Sequence, residues 1–81
     1  MSKRYSYTYT VNIAEQAGGF VVEVPALPGC HTWGRTYDEA VANAQEATQG
    51  FVETLTKLGK PIPVEARPSA LHLNVNLPVT A

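Results

Sequence analysis

One run in this sequence leaves little freedom to the rest of the chain. From Tyr37 to Leu58 the apolar residues Tyr37, Ala40, Val41, Ala44, Ala47, Phe51, Val52, Leu55 and Leu58 recur every three or four positions, against Asn43, Gln45, Glu46, Gln49, Glu53 and Lys57. That is the spacing of a helix with one buried stripe. Its start is written in Thr36-Tyr37-Asp38-Glu39: the threonine hydroxyl can accept from an open helix N–H, Glu39 can reach back, and both acids suit the positive end of the helix dipole. Gly59 can close the helix in a left-handed cap. A stripe over 37–58 has no second stripe to pack on, so its partner must be a sheet. Gly50 interrupts the run at about 1 kcal/mol relative to alanine; it marks either a close approach to the sheet or a weak point, and the sequence leaves both open.

The flanking segments supply that sheet. Over 5–14, Tyr5, Tyr7, Tyr9, Val11 and Ile13 alternate with Ser6, Thr8, Thr10 and Asn12, the pattern of a half-buried strand. "EQAGG" then offers glycines for a hairpin turn, and a second strand follows over 19–25. Pro25 and Pro28 cannot donate to a ladder, so "PALPG" leaves the sheet as an ordered loop before a short third strand over 30–34. Beyond the helix, "KPIPVEARP" carries three prolines in nine residues and forms an extended connection. In a last strand over 70–77, Leu71, Leu73, Val75 and Leu77 alternate with His72, Asn74 and Asn76. The order β-β-β-α-β, with strands apolar on one face, predicts an α+β fold of two layers, a sheet with one long helix packed on one face, in one domain over 1–81. If the last strand lies parallel to one already in the sheet, the crossover through the helix is right-handed.

Composition narrows the function classes. Six basic against seven acidic side chains give a formal charge of -1, without the basic footprint of a protein that tracks phosphates. The single Cys30 excludes an intramolecular disulfide framework and a cysteine-rich zinc site. No run approaches the roughly 18 apolar residues of a membrane span, and a cytoplasmic protein without metal or cofactor is expected. So small a core has a narrow stability margin, which predicts a homo-oligomer, a dimer or larger.

The densest cluster of reactive side chains, Val22 to Ala40, reads as fold signature rather than catalytic centre. Cys30 and His31 are adjacent, but neighbours on a strand point to opposite faces, so a thiol activated by that imidazole is not expected. His72 lacks a recognised ligand spacing with them. Metal-assisted phosphoryl transfer needs several convergent carboxylates; the first and last strands carry none, Glu23 stands alone, Asp38 and Glu39 suit capping, and Glu46 and Glu53 fall on the solvent side. No enzyme is expected, and a small hydrolase would have to depend on Cys30, His31 or Glu23. His31, Trp33 and Arg35 are the candidate partner-binding residues, since exposed aromatics and arginines anchor interfaces. Trp33 either lies on the outer sheet face or packs beneath the helix or the proline loop.

"GGFVVEVPALPGCHTWGRTYDEAVANAQEA" resembles the HicB-like antitoxin family. The elements that carry the resemblance are a glycine-led strand, Gly19-Phe20 to Pro25; the Ala26-Leu27-Pro28-Gly29-Cys30 loop; Gly34-Arg35-Thr36; and a helix with Asp38-Glu39-Ala40, Asn43-Ala44 and Glu46-Ala47. "GKPIPVEARP" extends it more loosely. The resemblance implies a partial RNase H-like fold, three antiparallel strands, a helix and a fourth strand beside the first. It also implies a non-catalytic module that binds and masks a small RNA-cleaving toxin. Many relatives carry a second DNA-binding domain; only Pro78 to Ala81 follow the last strand here, so a stand-alone form without direct DNA binding is expected. The competing readings are a small nucleic-acid-binding regulator using Lys3, Arg4, "YSYTY" and Arg35, and an orphan relative with no toxin partner.

Overall fold

The computed structural model describes the backbone of residues 3–79 and the side chains of residues 6–75. Five strands and one helix follow in the order β1 (Lys3–Thr10), β2 (Asn12–Gln16), β3 (Gly19–Glu23), β4 (His31–Gly34), α1 (Tyr37–Lys57) and β5 (His72–Val79). The fold is α+β, as the patterning predicts, but the first alternating run is two strands rather than one. β1 pairs antiparallel with β5, from Lys3 opposite Val79 to Thr10 opposite His72, while β2, β3 and β4 form a separate antiparallel sheet. The division falls at Val11, where the strand changes partners: its N–H donates to Leu71 O at 3.0 Å on the β5 side. Pairing with β3 begins only at Asn12 opposite Glu23. Pro25 and Pro68 stand just beyond the ends of β3 and β5, and neither partner strand runs past Val11. Because β5 is antiparallel to β1, the handedness rule for parallel crossovers does not arise.

α1 forms for the reasons its sequence states. Thr36 is extended at φ -116° and ψ 163° and its hydroxyl accepts from the Glu39 N–H at 3.1 Å, while Gly59 at φ 68° turns the chain so that Lys60 N–H reaches Leu55 O at 2.9 Å. Thr36→Ala therefore should cost about 1 kcal/mol, measured as the shift in urea midpoint at unchanged slope. The buried face is made of small residues, Ala40, Ala44 and Thr48, with Val52, and it meets Tyr9, Val11, Val22, Val24, Leu27, Leu73 and Val75 in the core. Small side chains let the helix axis approach the strands closely. Gly50 is not part of that approach: it is exposed, and a Cβ there would meet nothing within 4 Å. It is a weak point.

The proline-rich connection is tied to β1 rather than loose. Tyr9, wholly buried, donates its hydroxyl to Pro63 O at 2.6 Å. Glu65 accepts from the Thr10 N–H at 3.0 Å and from the Thr10 hydroxyl. The Ser69 N–H donates to the same hydroxyl oxygen at 2.8 Å. Among the described residues no helix is long and apolar enough to cross a membrane.

Candidate functional site

The side of the sheet that each residue faces follows from one contact. A Cβ on Gly34 would fall on the backbone of Ala40, so Gly34 faces α1. In antiparallel pairing, directly opposed residues share a face and successive residues alternate. Phe20 opposite Gly34 and Val22 opposite Thr32 therefore line the helix side, and Phe20 meets Tyr37 edge to face with ring centroids 5.9 Å apart. Val21 opposite Trp33 and Glu23 opposite His31 line the other side.

Trp33 thus lies on the helix-free face, and not beneath the helix or the proline loop. Its indole covers Gly19, which is buried beneath it: a Cβ at Gly19 would occupy the space of the ring. The glycine that closes the hairpin is there for the tryptophan; the turn itself is made by Ala17 at φ 51° and Gly18 at φ 79°. With Gly19 beneath it, Trp33 is still 46% exposed. Ala14, Val21 and Trp33 sit opposite one another across the three strands, and Asn12, Glu23 and His31 form the adjoining polar row. His31 and Trp33, two positions apart on one face, stand about 7 Å from each other along the strand. Arg35 is exposed just past the end of β4. The main chain of the patch is held by α1, since Asn43 Nδ2 donates to Trp33 O at 3.0 Å.

The reactive residues do not converge. Cys30 is buried, its Sγ 3.8 Å from Thr48 Oγ1, while His31 points to solvent on the opposite face. His72 lies in the other sheet; its Nδ1 is 2.8 Å from Ser69 O, and a carbonyl only accepts, so the ring proton is held on Nδ1. Among the described residues no group of three or more His, Cys, Asp or Glu could hold a metal ion. A second feature was not foreseen: a cleft of about 450 Å³ beside β1, lined by Tyr7, Thr8, Val64, Glu65, Pro68 and His72 among others. Glu65 sits in a run that reads only as an extended connection; a lone acid among three prolines was the one signal for it. Tyr9, beneath the same region, has its hydroxyl pKa pushed up to about 12, by burial first and then by the neighbouring Tyr7 and Glu65.

Residues 7–78 match the family model described as the HicB-like antitoxin of bacterial toxin-antitoxin systems. A UPF0150 protein of Thermoplasma acidophilum is 48% identical over 56 residues, which cover 68% of this chain and 81% of that protein. A UPF0150 protein of Synechocystis is 38% identical over 60 residues, 73% of this chain and 76% of that one. The crystal structure of the N-terminal domain of the Burkholderia pseudomallei antitoxin HicB superposes with a TM-score of 0.56 at 30% identity, covering 95% of this chain and 100% of that domain. With the family pattern extending over 7–78 and the fold shared with a solved antitoxin domain, the chain belongs to the HicB-like antitoxin family.

Proposed function

We propose that this chain is a non-catalytic module that binds and masks an RNA-cleaving toxin, acting in the cytoplasm as a homo-oligomer. The observation that carries the reading is Trp33, a large aromatic packed over Gly19 on the helix-free sheet face and left 46% exposed. A side chain already fixed in place loses little entropy when a partner covers it, and tryptophan and arginine are the residues on which interface energy concentrates. His31 and Arg35 flank it with hydrogen-bond donors suited to a polar rim. The family supplies the kind of partner: the members of this family are antitoxins of toxin-antitoxin systems.

The test is titration of the purified chain with the product of the small gene beside its own. Binding is expected, and Trp33→Ala should weaken it ten- to thirty-fold, about 1.4–2 kcal/mol, measured at a temperature where circular dichroism shows the variant fully folded, because uncovering Gly19 lowers its thermal midpoint. Equal affinity of the variant would show that the toxin docks elsewhere. No binding by the wild-type chain to that product or to any toxin of the same genome would remove the masking function itself.

A further inference from the structure

We propose that the cleft beside β1 is a binding site for the guanidinium of an arginine side chain carried by a partner chain. The cleft lies against the β1 and β5 ribbon rather than on the Trp33 face, and the proposal does not rest on the masking function.

The cleft holds about 450 Å³, inside the range of roughly 300–1,000 Å³ usual for ligand pockets. Its polar side chains are acceptors wherever their protons can be placed. Glu65 accepts from the Thr10 N–H at 3.0 Å and from the Thr10 hydroxyl; a carboxylate offers about four acceptor sites, so about two remain. The Thr8 hydroxyl donates to Asn74 Oδ1 at 3.0 Å, which leaves its oxygen with lone pairs alone. His72 holds its proton on Nδ1, 2.8 Å from Ser69 O, and the neutral ring then accepts at Nε2. These three lining side chains call for a ligand that donates.

Charge narrows the ligand further. Both hydrogen bonds of Glu65 come from Thr10, and no described basic side chain pairs with it. Arg67, two residues on, is exposed and is not among the described residues that line the cleft. The uncompensated carboxylate disfavours an anion, and among the described residues no cluster could hold a metal ion. An organic cation with several donors remains.

The walls select a planar one. Tyr7 is half-buried, its ring parallel to that of Tyr9 within 8° at a centroid separation of 6.3 Å, and Val64 and Pro68 complete the apolar side. A guanidinium stacks on an aromatic ring and sends its five N–H groups outward in one plane toward several acceptors, whereas an ammonium is a strongly hydrated point charge. The acceptors are also fixed in advance by one residue of the connection. Ser69 N–H donates to Thr10 Oγ1 at 2.8 Å, which in turn binds Glu65, and Ser69 O receives the His72 proton. Little ordering is left for the ligand to impose. The arginine belongs to a chain rather than to the free amino acid, because no lysine or arginine among the described lining residues could hold an α-carboxylate.

Amide NMR of the whole chain titrated with N-acetyl-L-arginine amide tests the proposal. Saturable shifts should centre on Tyr7, Thr8, Glu65 and His72. N-acetyl-L-citrulline amide, which keeps the shape without the charge, and free arginine, which adds a carboxylate, should each bind about tenfold more weakly. Glu65→Gln keeps an acceptor for the Thr10 N–H but removes the charge, and it should weaken the arginine probe about tenfold at unchanged circular dichroism. Glu46→Gln, on the exposed side of α1, should leave the affinity as it was. If Glu65→Gln fails to fold, the citrulline comparison on the wild-type chain decides. The absence of saturable shifts would overturn the proposal, as would citrulline and arginine probes of equal affinity, or full affinity in a folded Glu65→Gln protein. Free arginine binding as tightly as the blocked probe would overturn the assignment to a partner chain. Toxin capture is scored separately through Trp33→Ala, so either reading can fail without the other.

Discussion

Gly34→Ala should destabilise the fold by about 3 kcal/mol, at the upper end for overpacking a core, whereas Gly50→Ala should stabilise it by about 1 kcal/mol. The same methyl group has opposite effects because of what it meets. At Gly34 it lands on the backbone N and Cα of Ala40 and 2.8 Å from its Cβ, and backbone cannot rotate away as a side chain tip does. Nor can the two elements slide apart freely. Only Arg35 to Glu39 separate Gly34 from Ala40, and that stretch is pinned by the Thr36 hydroxyl on Glu39 N–H and by Ala40 N–H on Thr36 O at 2.9 Å. Relief must come from opening the cap or lifting α1 off β4, and either exposes the Ala40 and Ala44 face. At Gly50 the methyl enters open solvent and merely restricts the unfolded chain. Urea unfolding of both variants at equal slope measures the contrast. A Gly34→Ala protein within about 0.5 kcal/mol of wild type, the range of ordinary surface changes, would mean that this contact does not set the helix-to-sheet distance.

What the sequence made legible was local. The stripe and cap of α1 depend on residues within a few positions of each other, and α1 ends at Lys57, one residue short of the periodic run. The α+β layering followed from it. The division of the long first strand at Val11 was not legible, because alternation continues unbroken through it and only the change of partner from β5 to β3 creates the break. Cys30 and His31 face opposite ways, as strand parity alone requires. Trp33 was undecided because a four-residue strand offers two faces; its side is settled by Gly34 against Ala40, a contact between a strand and a helix. Gly19 misled in a useful way. It belongs to a glycine pair that suggests a turn, yet its role is to lie beneath an indole fourteen residues later. Glu65 was invisible because its partner, Thr10, is 55 residues away.

Alkaline conditions should destabilise the protein through Tyr9, and Tyr9→Phe should remove that contribution. The ring is wholly buried and its hydroxyl donates to Pro63 O at 2.6 Å. Ionisation would remove the donor and place a negative charge in a desolvated site near the Glu65 carboxylate, which is why the pKa rises from the ordinary 10 to about 12. Below about pH 10 both the folded and unfolded chains hold this proton, so it adds no pH dependence. Above that the unfolded chain releases the proton while the folded chain keeps it, so stability falls as pH rises, by roughly 1.4 kcal/mol per pH unit until the folded pKa is reached. The total loss is on the order of 2–3 kcal/mol by about pH 12. Tyr9→Phe leaves the Pro63 carbonyl without its donor and should cost about 1 kcal/mol at neutral pH, yet it has nothing to ionise. Groups common to both proteins cancel in the difference, so the two stability curves should cross near about pH 11, with the phenylalanine variant the more stable beyond it. Urea titrations of the pair across that range measure the crossing. A constant gap between the curves would show that Tyr9 ionises as readily in the fold as out of it, and that Pro63 does not seal its hydroxyl from water.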